Sequence, residues 1–314
     1  MTGKDPRMEI ASMLLGLDIG GTKTGVILGD TEAAICRRIE VPTPAQEAFE
    51  PAIDKIAAAA QALMVECKME GLDVPQAVSV SVGGPLDIGR GILYTPPHLA
   101  AWGEAPLKEY LQEVFDLPVY VEHDGNAGAL AEFYFGAGQG AQNMIFLTMG
   151  TGLGAGLILN GRIYHGSSDM AGEVGHVRMA DEGPVQYGKT GSWEAFSSGA
   201  GLVSLAHWTQ PGQWPVDLTT RGVIDRALQG DPGAVAVVGE AGRWFGRGLA
   251  MLVDILNPDV IVVGTLGVIL DDLLLGPARD VVQEEALPRA VAACRIVPAA
   301  LGKNLGDISA LMAA

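Results

Sequence analysis

The sequence predicts an α/β protein built as two domains, each a sheet flanked by helices. Two observations predict it. Apolar strands alternate with helical segments through both halves of the 314 residues, a length that supports more than one core. One device also occurs twice, about a domain apart: an apolar strand, a tight glycine turn with a hydroxyl residue, and a second apolar strand. It spans residues 15–28, with Gly20, Gly21 and Thr22 at the turn, and again residues 145–159, with Gly150, Thr151 and Gly152. Glycines at such a turn let backbone N–H groups approach an anion closely. Two such loops facing each other would grip a polyphosphate from both sides.

The elements follow in order. Strands at 14–19 and 24–29 flank the first turn, and 35–41 forms a third. Pro51 opens a helix to about Met69, with Gly71 beyond its end. Its Ile53, Ile56, Ala57, Ala60, Leu63, Met64 and Cys67 recur at helical spacing and form core. A buried strand at 77–82 leads into Gly83, Gly84 and Pro85; 107–115 is a short helix; 118–121 is a strand that turns at 123–126 into a helix to about 135. After the second hairpin, 166–201 lacks periodicity and reads as loops around a site, and 208–220 as an irregular connection. Pro232 starts a long helix to 256, 259–263 is a buried strand, a helix follows near 268–286, 294–297 is a last strand and 304–312 a final helix. The expected domains are 14–122 plus 301–314, and 123–300, after a disordered leader at 1–13.

A net charge of −17 argues against nucleic acid or an anionic membrane as partner, since both require a basic face. It leaves room for a phosphorylated ligand held by Mg²⁺ and backbone amides. Three well-separated cysteines, Cys36, Cys67 and Cys294, do not make a disulfide framework and suit a reducing cytosol. The first 13 residues lack the apolar stretch of a signal peptide, and no apolar run is long enough to span a bilayer. A cytoplasmic protein without membrane contact is expected.

The P-loop pattern G-x-x-x-x-G-K-[ST] is absent, and the glycine run 150–154 leads into a strand rather than a helix, so it is not a dinucleotide fingerprint. Asp18, at a strand end beside the first turn, can hold Mg²⁺ through its waters next to a polyphosphate, or can cap the turn. Asp124, at a strand-to-helix turn, can enter a cleft as a base or cap the helix, and the two roles can coexist.

These residues, with four more segments, carry a resemblance. The first hairpin resembles the phosphate-1 motif, and the second the phosphate-2 motif, of the ROK family of sugar kinases and sugar-sensing repressors, within the actin-like ATPase superfamily. Residues 121–127 (V-E-H-D-G-N-A) resemble its E-N-D-A-N segment, 171–176 its G-E-x-G-H signature, 191–194 (G-S-W-E) its G-C-x-E, and 257–264 its N-P-D-x-I-V-x-G strand. The resemblance implies two actin-like, ribonuclease H-like domains with an interdomain cleft. It implies Asp124 as general base. ATP would contact Asp18, Gly20, Gly21, Thr22, Lys23, Gly150, Thr151, Gly152, Gly264 and Thr265. The sugar would lie against Gly84, His98, His123, Asp124, Glu173, His176 and Glu194. The implied reaction passes the γ-phosphate of Mg-ATP to a hexose, at O6 as in glucokinases, in a homodimer. An N-acetylmannosamine or N-acetylglucosamine kinase is the enzymatic alternative. A non-catalytic sugar-sensing regulator is the alternative of another class, although 1–13 leave no room for a helix-turn-helix and the acidic charge disfavours DNA.

Three departures from the family matter. Val185, Tyr187 and Ser192 stand where a zinc-binding cysteine cluster usually lies, so no structural zinc is expected and packing of Tyr187 and Trp193 should hold the loop. His123 and His98 each replace an asparagine near the sugar, which either alters substrate choice or preserves hydrogen bonding. Thr265 and Leu266 follow Gly264 where consecutive glycines are usual, leaving the nucleotide preference open.

Overall fold

The structure, a computed structural model, describes residues 12–314. Two compact units divide the chain, one running up to Ala127 and regaining Asn304–Ala314, the other Gly128–Lys303.

In the first unit, β1 (Met13–Ile19) and β2 (Lys23–Asp30) form the first glycine hairpin, and β3 (Ile35–Pro42) extends it antiparallel. The helix α1 (Phe49–Met69) then returns the chain to β4 (Ala77–Val82), parallel to β1. Three short strands, β5 (Leu86–Asp87), β6 (Ile92–Tyr94) and β7 (Glu104–Ala105), make a small separate sheet. After α2 (Leu107–Phe115), β8 (Val119–His123) completes the order β3-β2-β1-β4-β8. The apolar stripes of α1 and α2, including Ile53, Ile56, Leu107 and Leu111, pack on Leu15, Leu17 and Val80. A second small core joins Leu14, Ile27 and Ala77 to Ala310 and Leu311, which follow a short helix at Leu305–Ser309. Gly29 permits that docking, since a Cβ there would stand 2.7 Å from Leu311 Cδ1.

The helix α3 (Asp124–Phe135) starts in the first unit and continues into the second. There β9 (Met144–Met149), β10 (Leu153–Leu159) and β11 (Arg162–Ile163) repeat the antiparallel start. A hairpin of β12 (Val185–Gln186) and β13 (Lys189–Thr190) precedes the helices α4 (Trp193–Ser197), α5 (Gly199–Thr209), α6 (Thr220–Leu228) and α7 (Pro232–Leu256). Then come β14 (Val260–Val263), α8 (Leu266–Leu270), α9 (Asp272–Glu285), α10 (Pro288–Ala293) and β15 (Arg295–Pro298). The order β11-β10-β9-β14-β15, with β14 and β15 parallel to β9, matches the first sheet strand for strand. The glycines of α7 bring its backbone onto α9: a Cβ at Gly242 or Gly246 would come within 2.5 Å of the Leu274 or Ala278 carbonyl oxygen. Glu132 of α3 is fully buried, and its carboxylate accepts the N–H groups of Ala137, Ala300 and Leu301, which offsets the cost of burying it.

Several elements differ from expectation. Met13 lies in β1, and residues 1–11 of the expected leader fall outside the described residues. The stretch 166–201 is not all loop: it holds the β12–β13 hairpin, α4 and the start of α5. The helix near 268–286 is two, broken at Asp271, whose φ is +41°. The helix α6 was not anticipated, and α10 and the small sheet are too short to display a period.

Candidate active site

In the first unit the glycine turn closes with Gly20 N–H donating to the Lys23 carbonyl at 3.1 Å, and Thr43 N–H donates to the Thr22 carbonyl at 3.0 Å. Gly21 is required by its neighbour: a Cβ there would lie 2.7 Å from His98 Cβ, on the 3₁₀ turn Pro97–Trp102. Asp18 is partly buried at the end of β1, where burial pushes its carboxyl up to about 6. Asp124 and Asp307 add to the shift by repulsion, while Lys23 and Arg38 oppose it. Lys23 itself turns outward to Glu40, at 2.9 Å.

Asp124 opens α3, and its Oδ1 accepts the Gly125 N–H at 2.7 Å. Its Oδ2 faces Gly83, 3.8 Å from where a Cβ there would sit. His123 Nδ1 accepts from the same Gly125 N–H at 3.2 Å, and its ring packs on Gly84, where a Cβ would come 2.9 Å from Cδ2. A cavity of about 60 Å³ joins these parts, lined by Gly20, Gly21, Gly83, Gly84, His98 and Asp124 among others. Buried Glu122 fixes the turn by accepting both the His123 N–H and the Asn126 side-chain amide on one oxygen, each at 2.9 Å. Sequence reasoning passed over this Glu122–Asn126 brace, although its i, i+4 spacing across a helix start was a usable signal. Asp307 was also missed. It is far from Asp18 in sequence, and nothing local marks it.

In the second unit the glycine turn is pinned from its carbonyl side. Gly199 N–H donates to the Gly150 carbonyl at 2.8 Å and Ala200 N–H to that of Thr151 at 3.0 Å, while Ser198 caps α5. A Cβ on Gly150 would meet nothing within 4 Å, so that face of the turn is open. Glu194, buried on α4, lies beside it: a Cβ on Gly152 would stand 3.4 Å from its Oε2. Glu194 Oε1 is buried without a hydrogen-bond partner among the described residues, 4.0 Å from His176 Nδ1. Burial raises the Glu194 carboxyl, whereas His176, a backbone hydrogen bond from Leu153 and Lys189 pull it down. Glu173 Oε2 lies 3.8 Å from His176 Nε2. The structure thus gathers Glu173, His176 and Glu194 next to the second turn, as an acceptor-rich set suited to hydroxyl groups. Gly264 N–H donates to the Leu147 carbonyl at 2.9 Å, and Thr265 holds a φ of +22°, a value β-branched residues avoid. The packing expectation for 185–192 holds only for Trp193, which is buried against Phe245; Tyr187 sits exposed at the hairpin tip. Among the described residues no three His, Cys, Asp or Glu side chains cluster as a metal site.

Comparison with known proteins agrees with this fold. The ROK family profile matches residues 14–314, and the chain belongs to the ROK family. A glucokinase of Halalkalibacterium halodurans is 33% identical over 310 residues, covering 94% of this chain and 92% of that protein. A ROK family glucokinase from Streptomyces griseus, solved in complex with glucose and AMPPNP, superposes with a TM-score of 0.74 at 33% identity, over 95% of this chain and 98% of that one. The xylose repressor of Bacillus spizizenii is 29% identical over 228 residues, 72% of this chain and 58% of the repressor. The chain therefore has the two-domain actin-like ATPase fold of these ROK kinases. No described helix is long and apolar enough to cross a membrane.

Proposed function

We propose that this ROK-family sugar kinase transfers the γ-phosphate of ATP to a hexose, at O6, with Asp124 as general base. The observation that carries the reading is the placement of Asp124 on one small cavity with the Gly20–Gly21 turn and Gly84. Oδ1 is held by Gly125, which fixes the carboxylate, and Oδ2 accepts the hydroxyl proton as the sugar oxygen attacks phosphorus. Glu194 supports the sugar assignment, because its orphaned buried oxygen needs a donor and a sugar hydroxyl supplies one. Glu173 and His176 would fix ring orientation beside it, and His98 and His123 would contact the sugar from the first unit.

The donor set around Asp18 fits Mg²⁺. Burial does most to raise the Asp18 carboxyl and repulsion from Asp124 and Asp307 adds to it, so a hydrated dication held by Asp18 through its waters would relieve that repulsion. When bound, Mg²⁺ neutralises charge on the transferring phosphoryl group. The N–H groups of Gly20–Thr22 and Gly150–Gly152 would cradle the phosphates, and the Gly264–Thr265 segment would receive the nucleoside. Zinc is not part of this reading, and a homodimer is its expected assembly.

The test is ADP release coupled to a panel of hexoses, including N-acetylmannosamine and N-acetylglucosamine, with the phosphorylated position read by NMR. Turnover with glucose at O6 is expected. The likeness to xylose repressors favours one second reading, a sugar-sensing regulator. Hexose binding without turnover of any sugar would select it.

A further inference from the structure

The 3₁₀ turn Val174–His176 presents Glu173 and His176, yet it is only three residues long and cannot hold itself rigid. What supports it is the β12–β13 hairpin, through two reciprocal contacts. Lys189 of β13 donates from Nζ to the His176 carbonyl, and Arg178, two residues past His176, donates to the Thr190 carbonyl at 2.7 Å. Backbone bonds fasten the same strip: Met179 N–H to the Gly191 carbonyl at 2.8 Å and Trp193 N–H to that of Val177 at 2.8 Å. The hairpin is anchored in turn to α5, where Gln186 donates to Ser204 Oγ at 2.7 Å, and the first residues of α5 pin the Gly150–Thr151 turn.

We infer that Lys189 is a positioning residue for hexose: its ammonium group, seated on the His176 carbonyl, sets the orientation of the Glu173–His176 turn and thereby the affinity for sugar. A charge-assisted hydrogen bond to a carbonyl is stronger than a neutral one, and among the described residues no other side chain of the hairpin is bonded to that oxygen. The positive charge also favours ionised Glu194, the form that accepts sugar hydroxyls. Tyr187, by contrast, lies exposed and contributes no such contact.

The inference rests on the assignment of His176 and Glu173 to the sugar, so its test reads both separately. Lys189→Met keeps the aliphatic stem and removes the charge. Amide hydrogen exchange in residues 174–178 should quicken about tenfold, whichever substrate the enzyme uses. The hexose KM should rise about three- to tenfold, with the ATP KM and kcat within about twofold of wild type. Lys189→Arg, which retains the charge, should recover most of the loss. Unchanged exchange, or an unchanged hexose KM in Lys189→Met, overturns the inference while leaving the kinase reading intact. If the wild type turns over no sugar, the kinase reading falls instead, and the hexose Kd takes the place of KM: an unchanged Kd in Lys189→Met then overturns the inference. If Lys189→Met is poorly folded, Lys189→Gln with the same two readouts decides.

Discussion

The two glycine turns occupy equivalent places in sheets of identical strand order, yet they are built for different work. In the first, Asp18 pairs across the hairpin with Gly25; in the second, Thr148 pairs with Gly154 at the matching position. One turn therefore carries a carboxylate and the other a hydroxyl. The first is crowded by His98 on its glycine face, whereas the second is open there and tied through its carbonyls to α5. Shared topology supplies two similar turns; under the proposed function, the side chains beside them decide which one handles a cation.

The proposed base, Asp124, lies on the first turn's side only, so Asp124→Asn should have the largest effect. A fall in kcat of about 10²–10⁴-fold is expected, with nucleotide affinity and melting temperature near wild type. Wild-type turnover would remove Asp124 from the mechanism. Next, Asp18→Asn should lower kcat/KM about 10²-fold or more at any Mg²⁺ concentration, whereas Thr148→Val should change it less than about threefold. Equal effects would erase the distinction between the turns.

Asp18→Asn should also stabilise the metal-free protein, in a pH-dependent way. The folded pKa of Asp18, about 6, lies above the ordinary 3.8, so its contribution to stability is fully present below about pH 4 and lost as the pH rises through 6. Replacement should therefore raise stability above pH 7, on the order of 2 kcal/mol, and the gain should vanish toward pH 4. Thermal denaturation across that range checks it. Next in size, Gly21→Ala should destabilise the fold by about 1–3 kcal/mol through its clash with His98, whereas Gly150→Ala should leave stability within about 0.5 kcal/mol and raise the ATP KM. The smallest effect expected is none: EDTA without Mg²⁺ should leave the melting temperature of the second unit unchanged, and metal analysis should find no stoichiometric zinc.

The residues that were legible from sequence share a trait. Asp18, Gly20, Gly21 and Asp124 sit at strand ends, where period-two apolar runs stop and glycine punctuates the chain, so local pattern marks them. Both hairpins, α1 and α7 were visible for the same reason. What was not legible is tertiary. Asp307 reaches Asp18 from the other end of the chain, and Lys189 reaches His176 from a two-residue strand. Tyr187 looked like packing material because it is aromatic, but a φ of +46° at a hairpin tip turns it outward. The role expected for Thr265 stays tied to its backbone, whose left-handed bend the sequence does not advertise.

Because the first unit is discontinuous, the order of synthesis bears on how it matures. Residues 304–314 leave the ribosome only after the whole of Gly128–Lys303. Until then Leu14 and Ile27 lack the cover of Ala310 and Leu311, and Asp18 lacks its neighbour Asp307. The contiguous unit can close first, while the sheet that bears the carboxylates waits with one face bare. A nascent chain arrested before residue 304 should accordingly engage chaperones through that face, and release from them should coincide with arrival of Leu311.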